Sequence, residues 1–133
     1  LVLFFVSGES KEPIWRCRLE PIELARHIVH VAEEKKGEDI LLLDITAQET
    51  FTDYFVFCNG TSDRQLEALR EGILESVKQT FHTTPWSREG SADEEWLLLD
   101  YSDVIVHLFS PEKRAYYDLE GLWSNGKVLL HIQ

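Results

Sequence analysis

Two short apolar runs, Trp96-Leu97-Leu98-Leu99 and Val104-Ile105-Val106-His107-Leu108-Phe109, are separated only by Asp100-Tyr101-Ser102-Asp103. Runs of this length and β-branched content read as strands, and a parallel crossover would need a dozen or more connecting residues. The spacing therefore predicts an antiparallel hairpin closed by a tight polar turn. A hairpin so apolar on both faces cannot stand alone in water; it must sit inside a larger sheet covered by helices.

The rest of the chain supplies those pieces. Pro21 is a good first helical residue. Leu24, Ala25, Ile28, Val31 and Ala32 follow as an apolar stripe of helical period, and Gly37 stands where a helix cap belongs. Ile40-Leu41-Leu42-Leu43-Asp44-Ile45 and Tyr54-Phe55-Val56-Phe57-Cys58 read as central strands buried on both faces. Ser62 and Gln65 have capping-box spacing, with Asp63 in the first turn. Leu66, Leu69, Ile73 and Val77 carry that helix to about residue 80. Thr83-Thr84-Pro85-Trp86 reads as a short edge strand, since Pro85 cannot donate to a ladder, and 88–94 as a polar loop. Pro111 opens a last helix with Ala115, Tyr116, Leu119 and Leu122 inward, ended by Asn125-Gly126. The expected fold is α/β, a mixed five-stranded sheet flanked by helices. The domain is expected over 20–124, with an N-terminal extension at 1–19 and a C-terminal tail at 125–133. The extension could be an edge strand, an exchanged arm or sequence added to the domain. Its opening six apolar residues are too short to span a membrane and lack the pattern of a signal peptide.

Charge narrows the partners. The 133 residues carry 13 basic and 24 acidic side chains, a net charge of -11. Such a chain is repelled by exposed nucleic-acid backbone, which is bound by clustered Lys and Arg. A basic protein partner fits better, and no nucleic-acid or membrane recognition is expected. Cys17 and Cys58 make no disulfide framework, and Cys58 lies in an apolar run as a small buried residue.

Catalytic patterns are absent from the sequence: there is no HExxH, no CxxC pair, no glycine-rich phosphate loop and no nucleophile elbow. His27 and His30 could share a helix face but lack a third ligand nearby. His107 reads as a hydrogen-bonded strand histidine, and His82 as a solvent residue after a helix. Asp44, Asp100 and Asp103, with Gly60-Thr61-Ser62 opening a helix, faintly suggest a magnesium-dependent nucleotidyltransferase. Asp100 and Asp103 are three apart, however, and do not share a strand face as a D-x-D pair does. Capping and turn formation account for these residues, so no catalytic residue, cofactor or metal is assigned. The rings of Trp86, Trp96, Tyr101, Tyr116, Tyr117 and Trp123 point instead to a binding surface. Tyr101, at a turn tip, is expected to be hard to bury. Glu94, Glu95, Asp100 and Asp103 would steer a basic partner to the hairpin.

Several stretches resemble one known family in order and spacing over residues 21 to about 124. They are 39–44, Phe51-Thr52-Asp53-Tyr54-Phe55-Val56, Asn59-Gly60-Thr61-Ser62-Asp63-Arg64-Gln65, Glu95-Trp96-Leu97-Leu98-Leu99-Asp100-Tyr101, 103–109 and 111–123. The family is the ribosomal silencing factor, or iojap-like, family. The resemblance implies a nucleotidyltransferase-like fold without transferase activity and a cytoplasmic protein that is a homodimer when free. It further implies binding to large-subunit protein uL14, which blocks joining of the small and large ribosomal subunits and represses translation. Organellar relatives imply an alternative role in large-subunit assembly. The family's hairpin surface carries over to Trp96, Asp100 and Tyr101 as partner-binding residues, with Asp103 shaping the turn. Relatives commonly have Gly where this chain has Ser102.

Overall fold

The computed structural model describes residues 20–48 and 51–133. The expectations for 1–19, Cys17 included, lie outside the described residues. Helix α1 (Pro21–Glu34) leads to strand β1 (Glu38–Asp44), then β2 (Tyr54–Asn59) and helix α2 (Asp63–Phe81). Strands β3 (Ser87–Ser91), β4 (Trp96–Asp100) and β5 (Val104–Phe109) follow. Two short helices, α3 (Pro111–Tyr117) and α4 (Leu119–Leu122), precede strand β6 (Lys127–Ile132). The sheet order is β3-β4-β5-β2-β1-β6; only the β2–β5 pair is parallel.

The mixed sheet flanked by helices is as expected, but it has six strands rather than five. The residues read as a tail pair with β1, Ile132 opposite Ile40 and Lys127 opposite Asp44. The edge strand at the other side also differs. It is Ser87–Ser91, all but Ser87 within the segment read as a loop, and Thr83 to Trp86 lie outside it. Ladder bonds to β4 hold this polar stretch extended although no side chain in it favours a strand.

Helices α1 and α2 cover one face of the sheet. Leu24, Ala25, Ile28, Leu66, Leu69, Ile73 and Val77 pack there on Ile40, Leu42, Val56, Cys58, Leu97, Leu99, Val106 and Leu108. The 3.6-residue stripe and the two-residue strand alternation mesh directly. The helix ends are locally encoded. Ser62 Oγ accepts the Gln65 N–H at 3.1 Å, and Gln65 Oε1 accepts the Thr61 N–H at 2.7 Å. At the end of α1, Lys36 rather than Gly37 takes the left-handed conformation (φ 67°). Gly37 N–H then reaches the Ala32 carbonyl at 2.8 Å and Lys36 N–H that of Glu33 at 3.0 Å, a Schellman arrangement. Gly37 is needed for room instead: a Cβ there would lie 2.3 Å from Cys58 Sγ.

The opposite face is aromatic. Leu41, Leu43, Phe55, Phe57, Ile105 and Phe109 form its core, with Trp96, Leu98, Leu119 and Trp123 packed against it. The short helices α3 and α4 lie here, where one continuous helix was expected. The chain breaks at Asp118, which is left-handed (φ 46°). Ala115, Tyr116 and Leu122, expected inward, are exposed, and Arg114 is the residue buried in α3. Its guanidinium binds the Glu120 carboxylate through Nε and Nη2 at 3.0 and 3.1 Å. Nη1 donates to Asn59 Oδ1 at 2.8 Å and to the Asp39 carbonyl. One planar fork thereby fastens both short helices to the ends of β1 and β2.

Candidate functional site

The four residues expected to form the binding surface all lie on the hairpin, but they do not form one cluster. Strand alternation puts Trp96, Leu98 and Asp100 on the aromatic face, and Leu97, Leu99 and Tyr101 under the helices. Trp96 pairs with Phe109 at one end of the ladder, and Asp100 with Ile105 near the other. Four residues of extended chain separate them by about 13 Å.

Trp96 is half-buried and held on three sides. Its Nε1–H donates to His107 Nδ1 at 3.2 Å. The indole stacks on Phe109 with centroids 5.3 Å apart and meets Tyr117 at 4.8 Å. His107 is itself stacked between Phe57 and Phe109 at 5.2 and 5.7 Å. Burial pushes its pKa down to about 4, so the ring is neutral at pH 7, with Nδ1 as acceptor and the proton on Nε2. His107 is thus the hydrogen-bonded strand histidine its sequence position suggested. Gly90 completes the setting. At φ 84°, it approaches so closely that a Cβ would lie 2.1 Å from the Trp96 carbonyl oxygen. Beside the indole lies a groove of about 420 Å³, lined by Glu89, Glu94, Lys113 and Tyr117 among others.

The turn is a second, separate feature. Tyr101 N–H donates to the Val104 carbonyl at 2.9 Å, and Asp103 N–H to the Tyr101 carbonyl at 3.0 Å. Ser102 sits between them at φ 77°, as in a strained γ-turn. Asp100 Oδ1 accepts the Ser102 N–H at 2.7 Å, so Asp100 satisfies a turn amide. The Asp103 carbonyl accepts from the Asp53 and Tyr54 amides and ties the turn to the start of β2. Burial, followed by repulsion from Asp53, raises the Asp103 pKa.

Tyr101 corrects the expectation of exposure. The residue is only 6% exposed, because the turn's first residue continues the pleat of Leu97 and Leu99 into the helix-covered core. Its hydroxyl finds no hydrogen-bond partner, and burial raises its pKa. The exposed rings at this end are instead Trp86, at 85%, and Phe51, at 74%. Together with Asp100 and Ser102 they line a groove of about 300 Å³. Tyr117 was among the rings expected to form a binding surface, whereas Phe51 was not singled out from the sequence. Only the pairing of β2 with β5 and the fold-back of α3 bring them to the hairpin.

The carboxylates and the helix start considered for nucleotide chemistry are not brought together. Asp44 and the hairpin turn flank Tyr54 at the start of β2, whereas Ser62 follows Asn59 at its end. The length of β2, about 17 Å, lies between them. Asp44 Oδ1 accepts from the Thr46 amide and hydroxyl at 2.9 and 2.7 Å. Among the described residues no group of three or more His, Cys, Asp or Glu could hold a metal ion. His27 Nε2 meets Ser76 Oγ at 2.7 Å, joining α1 to α2, while His30 pairs with Glu34 at 3.3 Å. Cys58 is buried, its thiol pushed up to about 12 by burial, which suits packing rather than nucleophilic chemistry. No helix among the described residues is long and apolar enough to cross a membrane.

A six-stranded mixed sheet with a two-helix layer on one face and an aromatic cluster under two short helices on the other defines an α/β domain whose most exposed chemistry is aromatic and acidic. The profile of the family described as "Ribosomal silencing factor during starvation" matches residues 18–132. The chain is 37% identical over 96 residues to the ribosomal silencing factor RsfS of Bacillus subtilis, covering 72% of this chain and 80% of that protein. It is 31% identical over 99 residues to the mouse protein named mitochondrial assembly of ribosomal large subunit protein 1, covering 73% of this chain and 43% of that one. A crystal structure of a Chromobacterium violaceum protein superposes with a TM-score of 0.75 at 32% identity, over 80% of this chain and 88% of that one. The chain belongs to the ribosomal silencing factor family.

Proposed function

We propose that this protein is a ribosomal silencing factor that binds large-subunit protein uL14 and sterically blocks joining of the two ribosomal subunits, repressing translation. The observation that carries the reading is the Trp96 surface: a rigid, half-exposed indole beside Tyr117 and two carboxylates, on a chain of net charge -11. An aromatic anchor with an acidic rim suits a basic ribosomal protein. Trp96 is the anchor, Asp100 and Asp103 hold the turn and add negative charge, and Tyr101 supports the turn from beneath. Blocking by occupancy needs no bond making, so the reading assigns no catalytic residue. The protein would act in the cytoplasm and form a homodimer when free. Large-subunit assembly is the second reading, favoured by the name and 31% identity of the mouse relative.

The test is sedimentation with isolated large subunits, adding small subunits before or after the factor. Co-migration, with fewer joined ribosomes when the factor is added first, is expected. Trp96→Ala should weaken co-migration at least tenfold, equal to about 1.4 kcal/mol. Trp96→Phe, which keeps a ring, should lose less. A folded Trp96→Ala protein that binds as tightly as the parent would remove the hairpin surface from the mechanism. Joining of subunits undiminished by a bound factor would favour the assembly role.

A further inference from the structure

We propose that the groove at the hairpin tip, between Phe51 and Trp86 and floored by Asp100, is a second docking site that takes an arginine- or lysine-bearing protein segment. It lies at the opposite end of β4 from the Trp96 groove and shares no lining residue with it. Trp86 and Phe51 are the most exposed large aromatic rings among the described residues apart from Tyr116. Trp86 is not loosely tethered, because its N–H donates to the Asp100 carbonyl at 2.7 Å and fixes its backbone to the hairpin. The ring is thus presented from an ordered support, which lowers the entropy lost on binding.

Charge selects the occupant. Asp100 lines the groove, its carboxylate positioned by the Ser102 amide. Asp103 follows Ser102 directly in the turn and adds negative charge to this end of the hairpin. A guanidinium or ammonium would be drawn to the Asp100 carboxylate and would lie on the indole face, the best ring for a cation–π contact. Single-stranded nucleic acid also stacks on exposed rings, but such sites are built in positively charged grooves. This groove has no basic lining residue.

The test uses the full chain and a fluorescein-labelled nine-residue peptide carrying three arginines, alongside the same peptide with citrulline replacing each arginine. Citrulline keeps the shape and removes the charge. Fluorescence anisotropy should show saturable binding of the arginine peptide, weakened at least tenfold by Trp86→Ala, by Phe51→Ala and by the citrulline exchange. Asp100→Asn should weaken it severalfold. The Phe51 and Trp86 side chains are exposed, so unchanged melting temperatures check that these variants fold. The proposal is overturned if the arginine peptide does not bind saturably, or if Trp86→Ala leaves its affinity unchanged. It is also overturned if the citrulline peptide binds equally well, or if a U-rich oligonucleotide binds more tightly in a Trp86-dependent way.

Discussion

Replacing Arg114 with alanine should destabilise the fold more than any exposed substitution, by about 3 kcal/mol. The side chain is 6% exposed and makes four close polar contacts: two to Glu120, one to Asn59 Oδ1 and one to the Asp39 carbonyl. Breaking a buried ion pair from one side costs about 3–5 kcal/mol, because the partner is left uncompensated. The lower end applies here, since the Glu120 side chain is 32% exposed and can rehydrate. Asn59 is buried and cannot, so it contributes about 1–3 kcal/mol of that cost. For a domain of this size, about 4 °C of melting temperature per kcal/mol gives a fall of about 12 °C. Urea denaturation at pH 7 measures the difference directly. Lysine at the same position keeps the charge but not the fork, and should recover less than half of the loss. A double-mutant cycle with Glu120→Gln should give a coupling of about 1–2 kcal/mol. An Arg114→Ala protein within about 1 kcal/mol of the parent would refute the view that this guanidinium fastens α3 and α4 to the sheet.

Two further perturbations probe the hairpin. Ser102→Gly should stabilise the chain by about 0.5–1 kcal/mol, because Ser102 is held at φ 77° where a side chain is strained; chemical denaturation reads the gain. His107 is held neutral, with its pKa lowered from 6.5 to about 4 by burial. The unfolded chain therefore binds the proton first. Stability is full above pH 6.5 and falls on acidification toward pH 4, by up to about 3 kcal/mol from this group. His107→Gln, which cannot charge, should flatten that slope in urea titrations at pH 7.5 and 4.5; an unchanged slope would show that other groups set it.

The parts of the fold written in local pattern were legible before any coordinates. Pro21, Ser62 and Pro111 start helices where expected, and the hairpin strands and turn fall where the apolar runs placed them. What escaped the sequence was set by distant partners. Ser87–Ser91 becomes a strand through its ladder to β4, and Lys127–Ile132 through its ladder to β1. Nothing in Pro111-Glu112-Lys113-Arg114 announces that the arginine turns inward, because its partners Asn59 and Asp39 lie 55 and 75 residues earlier. The same holds at the site. Trp96 and Asp100 were recognisable as hairpin residues, but the two-residue period that separates Tyr101 from them in space had to be followed through the turn. Phe51 and Tyr117 join the grooves only after the sheet is assembled.

The parallel seam between β2 and β5 pairs Tyr54 with Val104 and Asn59 with Phe109, fifty residues apart in the chain. The hairpin therefore is not a module that can be cut out and carried elsewhere. A peptide spanning 86–123 would lack the strand on which β5 lies, together with Phe55 and Phe57, which pack against His107. Both grooves exist only when the first and second halves of the chain have found each other, so recognition is tied to completion of the whole domain. A lesion in α1, far from either groove, would lower apparent affinity by reducing the folded fraction, while leaving the bound geometry of the molecules that fold untouched.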